Sequence, residues 1–136
     1  GEFLENGKAN IVFNYFKKMG YSVYSEICVT YSPIDMVAVK DNVCFCIELK
    51  TSFNEKLFKQ CYFNQNYCDF SVAISSTKPK SNTIEKFKKY GIGIYQVVGD
   101  DVKVILDPVK NNFFDNHHDF ILNLKLIINI YYFCEL

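Results

Sequence analysis

The chain has 136 residues, 49% hydrophobic and 22% charged, which is the composition of an ordinary soluble globular protein long enough to bury one core. Fifteen basic residues balance fifteen acids, so the formal charge of zero excludes a strong non-specific nucleic-acid binder. All fifteen are Lys; with no Arg, any phosphate contact has to come from Lys, backbone amides or hydroxyls.

The charge is unevenly spread. Residues 50–99 carry eight Lys against three acids, and the two flanking thirds are net acidic, so one side of the molecule is open to a positive surface. Six Cys (28, 44, 46, 61, 68, 134) show neither a CxxC nor a Cys/His zinc spacing, and they read as reduced, mostly buried thiols of a cytoplasmic protein. No secretory leader is legible, and Gly1-Glu2-Phe3 is set aside as a cloning remnant.

In chain order, residues 4–19 are expected to form a helix: Val12, Phe16 and Met19 recur at i, i+4 and i+7, and Gly20 supplies the stop. Asn6-Gly7 weakens its first turn. Tyr21–Tyr31 suits an extended segment, and Ile34–Lys40 and Val43–Leu49 are β-rich runs around Asp41-Asn42. Asn54–Asn66 reads as a helix, Phe70–Ser75 as a buried strand, and Ser81–Tyr90 as a helix ending at Gly91. Ile92–Val98 and Val102–Leu106 complete the pattern as strands around a Gly99-Asp100 turn. The order implies a single α/β domain over 1–136 with a mixed central sheet flanked by helices. The apolar tail over 117–136 is broken by Asn123, Lys125 and Asn129, so it fails as a membrane span. It is expected to be a buried helix or a homodimer contact. His117-His118 has no further ligand spacing beside it and reads as a surface pair.

The chemistry concentrates in the second and third strands. If Asp41-Asn42 is a two-residue turn, Lys40 faces Val43, Val37 faces Cys46, and Asp35 lies directly across from Glu48. Lys50 shares the face of Glu48, two residues on. Two opposed carboxylates repel unless something neutralises them, and hard oxygen ligands suit Mg²⁺ or Mn²⁺. The strand around them is apolar (Val43, Phe45, Ile47), so Glu48 and Lys50 break a core pattern, as functional sites tend to do, although a Glu-x-Lys by itself is usually a solvated pair. A three-residue turn would instead put Ile47 opposite Asp35.

Pro33-Ile34-Asp35, followed after twelve residues by Glu48-Leu49-Lys50, resembles the motif of the PD-(D/E)XK (restriction endonuclease-like) nuclease superfamily. The resemblance spans roughly residues 4–98, because the element order also resembles that family's αβββαβ core; 99–136 would be a C-terminal strand and helix extension. It implies metal-assisted phosphodiester hydrolysis, with DNA as the expected substrate. Asp35 and Glu48 would hold the cation with the Leu49 carbonyl, and Lys50 would act on the attacking water and on phosphate charge. Many members also carry a Glu on the first helix. The matching position here is near Ala9, and Glu5, one turn earlier on the same face, is the candidate substitute ligand. Several branches bring a Gln from the helix after the Glu-x-Lys strand, which Gln60 matches, with Lys56 and Lys59 beside it for phosphates. The alternative is a nuclease fold that has kept nucleic-acid binding or assembly and lost catalysis.

Overall fold

The computed structural model describes residues 7–28 and 33–111. Helix α1 spans Lys8–Lys18, and its Val12 and Phe16 are fully buried. It starts later than the periodicity predicts because Gly7 stands at φ 73, in the left-handed region that ends helical geometry. Gly20, at φ 90, turns the chain into strand β1, Ser22–Cys28.

Strands β2 (Pro33–Lys40) and β3 (Val43–Leu49) form the expected hairpin. Asp41 and Asn42 both take positive φ, 51 and 66, which is the pair of left-handed residues that a two-residue turn matched to strand twist requires. The register is therefore Lys40↔Val43, Val39↔Cys44, Val37↔Cys46 and Met36↔Ile47. Lys40 Nζ also donates to the Met19 carbonyl at 2.8 Å, fastening the hairpin to the positive-seeking C-terminus of α1.

Helix α2 covers Glu55–Asn64, shorter at its C-terminus than the sequence suggests. Asn54 caps it, its Oδ1 accepting from the Leu57 amide at 2.9 Å. Asn54→Ala should cost about 1 kcal/mol, the usual loss of such a cap, read as a lower urea midpoint with an unchanged slope. Strand β4 (Phe70–Ser75), helix α3 (Ser81–Lys89) and strands β5 (Gly93–Val98) and β6 (Asp101–Leu106) follow.

The six strands lie in sequence order in one mixed sheet. The β3–β4 and β4–β5 pairs are parallel, and the other three are antiparallel. Helices α2 and α3 are the two crossovers between parallel neighbours, and the shared handedness of such connections puts both on one face. There Leu57, Cys61 and Phe87 pack with Ala73, Ile92 and Ile94. Helix α1 covers the other face, where Val12 and Phe16 meet Met36, Ile47, Leu49, Ile74 and Tyr95. Alternation along β3 thus sends Ile47 and Leu49 toward α1, and Cys46 and Glu48 toward α2.

Cys44, Cys46, Cys61 and Cys68 are free and buried, as expected of structural thiols. Among the described residues no helix is long and apolar enough to cross a membrane. Glu5, His117-His118 and the apolar tail with its proposed homodimer contact lie outside the described residues.

Candidate active site

The paired β2–β3 register ends at Met36↔Ile47, and Asp35 and Glu48 are the next residue on each strand. Contacts tie the two together. The Leu49 amide donates to Asp35 Oδ2 at 2.9 Å, and the Asp35 amide donates to the Glu48 carboxylate. Backbone donors thus offset part of the repulsion between the two acids.

Glu48 is only 2% exposed, an unusual place for an acid with no direct cationic contact. Burial, with the Asp35 charge adding to it, pushes its pKa up to about 7. Asn64, the Asp35 amide and the Lys50 charge pull the other way without prevailing. Asn64 Nδ2 donates to Glu48 Oε2 at 3.1 Å, a buried contact from the last turn of α2.

Lys50 lies just past β3, half-buried, with its own amide donating to the Ile74 carbonyl at 3.1 Å. The parallel β3–β4 ladder therefore fixes the backbone from which its side chain departs. The Leu49 side chain belongs to the core under α1, so only its main chain is available to the site: its amide serves Asp35.

A cleft of about 530 Å³ opens over Glu48. Pro33 and Ile34 of β2 form one side; Lys56, Lys59, Gln60, Phe63 and Asn64 of α2, with Tyr67 after it, form the other. Gln60 therefore reaches the same cleft as Glu48, and its Oε1 is buried without a hydrogen-bond partner. Such an orphan acceptor in a native fold calls for a water, ion or ligand donor. Lys56 and Lys59 stand exposed at the rim. Lys88 and Lys89 are exposed on α3, away from the lining of this cleft, while Lys86 pairs with Glu55.

Asn64 is the site residue that sequence reasoning missed. Its signal was present: Leu57, Cys61 and Asn64 recur at i, i+4 and i+7, so an amide interrupts the buried stripe of α2 as Glu48 interrupts the buried strand beneath it.

Among the described residues no group of three or more His, Cys, Asp or Glu side chains is arranged to hold a metal ion. What the hairpin offers is two carboxylates and main-chain oxygen. That donor set fits Mg²⁺ or Mn²⁺, which keep several waters and take one or two carboxylates from a protein. An acid raised to a pKa of about 7 by burial, with an adjacent acid adding to it, is stabilised in its charged form when a cation binds beside it.

No family model matches the chain, and no curated protein matches it by sequence. A solved structure is similar to it in fold: a protein of unknown function from Silicibacter pomeroyi, with a TM-score of 0.59 and 12% identity, over 85% of this chain and 82% of that one. At that identity the likeness speaks for the fold alone.

Proposed function

We propose that the chain is a Mg²⁺- or Mn²⁺-dependent nuclease of the PD-(D/E)XK, restriction endonuclease-like superfamily that hydrolyses phosphodiester bonds, with DNA as its substrate. The observation that carries this reading is Glu48: a buried carboxylate beside Asp35, in an apolar strand, at the floor of a cleft with a lysine rim. Core positions do not keep such an acid for stability, because desolvation and a like charge both oppose it.

Asp35 and Glu48 would hold the cation, with the Leu49 carbonyl as a further ligand. When bound, the cation acidifies water and offsets charge on the phosphate. The chain's own groups do the rest. Asp35 is oriented by the Leu49 amide and Glu48 by Asn64, so neither carboxylate has to be ordered when substrate arrives. Lys50 supplies an ammonium that orients the attacking water and balances the charge growing on the phosphoryl oxygens. Gln60 is a positioning residue whose unpartnered Oε1 accepts from water or substrate at the cleft wall.

The alternative, a nuclease fold that binds nucleic acid or assembles without cutting, draws on the absence of a third acid beside Asp35 and Glu48 among the described residues. The same experiment separates the two. Supercoiled, linear, single-stranded and branched DNA, and RNA, are incubated with Mg²⁺ or Mn²⁺ and with the wild type, Glu48→Ala or Lys50→Ala. Cleavage by the wild type alone is expected. Equal cleavage by all three sinks the site, and retained binding with no cleavage selects the alternative.

A further inference from the structure

We infer that the apolar part of the cleft, between Phe63 and Tyr67 on one side and Pro33 and Ile34 on the other, takes the base of a single unpaired nucleotide and leaves Glu48 to the cation, so that the substrate is a single strand, a frayed end or a branch, not a continuous duplex. The inference rests on the nuclease reading for the identity of the ligand, and on the cleft for its shape.

The stripe of α2 that lines the cleft runs Lys56, Gln60, Phe63 and Asn64, and Tyr67 continues it, at spacings of three and four residues. It therefore presents, in one row, a cation, an amide side chain and aromatic rings. Phe63 is 44% exposed although it is large and apolar, and its ring centroid lies 5.7 Å from that of Tyr67. Pro33 and Ile34 stand across from them as an apolar wall. A slot with aromatic and aliphatic walls and a hydrogen-bonding floor matches the flat, edge-polar shape of a base, and 530 Å³ falls within the range that holds one small organic group.

Charge completes the match. Lys56 and Lys59 stand at the mouth for the phosphates that flank the base, and Glu55, also at the rim, is neutralised by Lys86. A paired and stacked duplex buries its ring faces and offers no base to such a slot. Its binding would also need an extended basic footprint, which a chain of zero net charge without Arg does not supply. An exposed ring close to lysines is instead how single strands are held, and Phe63 stands next to Lys56 and Lys59 on α2.

The test uses the full chain in EDTA, where nothing is cut. Anisotropy compares fluorescein-labelled single-stranded DNA and RNA of one sequence with the matching DNA duplex, and a second set of single strands carries 2-aminopurine. At least tenfold tighter binding of the single strands is expected, with quenching of 2-aminopurine on binding. Phe63→Leu, which keeps an apolar side chain at a partly exposed position, should weaken single-strand binding about tenfold, abolish the quench and leave duplex binding unchanged. Equal or tighter duplex binding, or undiminished quenching in Phe63→Leu, overturns the assignment. Cleavage of the same oligonucleotides with Mg²⁺ is read separately. A single-strand preference without cleavage overturns the nuclease reading and leaves the cleft assignment standing; cleavage with duplex preference does the reverse.

Discussion

Glu48→Gln is expected to reduce metal-dependent cleavage by about a hundredfold to a thousandfold, the scale on which a group acting on transition-state charge is lost, while making the metal-free protein more stable at pH 8. The two effects share one cause. Folding moves the Glu48 pKa from an ordinary 4.5 to about 7. The folded state then holds the proton more tightly than the unfolded chain, so the stability linked to this group is fully present below about 4.5. It declines as pH rises between 4.5 and 7 and is gone above 7. The whole span is worth about 3 kcal/mol as an upper bound, at 1.36 kcal/mol for each unit of pKa. Gln resembles the protonated acid: it keeps an acceptor for Asn64 Nδ2 and carries no charge at any pH. Urea titrations in EDTA from pH 5 to pH 8 should therefore show the wild-type midpoint falling relative to that of Glu48→Gln. Saturating Mg²⁺ at pH 8 should restore the wild type and leave the variant unmoved. Parallel pH profiles for the two proteins would remove the buried-carboxylate argument for a cation.

The hairpin was legible because its determinants are local. Asp41-Asn42 tolerates two positive φ values, that turn fixes the register as far as Met36↔Ile47, and Asp35 and Glu48 follow as the next residues of the two strands without reference to anything distant. The element order was legible for the same reason, each helix and strand carrying its own period and its own stop. Element ends were less so. Asn6-Gly7 marked a weak first turn without fixing its place, and the left-handed Gly7 backbone shows where α1 begins. Asn64 and the cleft were not legible, because they depend on how α2 lies across β3. That is set by the packing of Leu57, Phe58 and Cys61 against Ala73 and Ile94, pairings between residues far apart in the chain. Gln60 stands between these cases: the resemblance singled it out, whereas the missing partner of its Oε1 could only be seen in three dimensions.

Asn64→Asp should produce the largest stability loss of any single change at the site, and divalent cation should largely reverse it. The substitution removes the 3.1 Å donor to Glu48 Oε2 and sets a second acid against that oxygen, at a position only 5% exposed. Uncompensated buried charge of this kind costs about 3–5 kcal/mol. In EDTA at pH 8 the variant should be near the edge of folding, and it should recover as pH falls and the acids share a proton. Mn²⁺ binds only the folded state, so it restores about 2.7 kcal/mol at a hundred times its dissociation constant. A third carboxylate raises that affinity, so the Mn²⁺-induced rise in urea midpoint should be larger in Asn64→Asp than in the wild type. Asn64→Leu loses the same hydrogen bond but adds no charge; its Mn²⁺ increment should not exceed the wild-type value. Equal increments in all three proteins would mean that the ion binds elsewhere, and Asp35 and Glu48 would then be a strained pair without a cation to explain them.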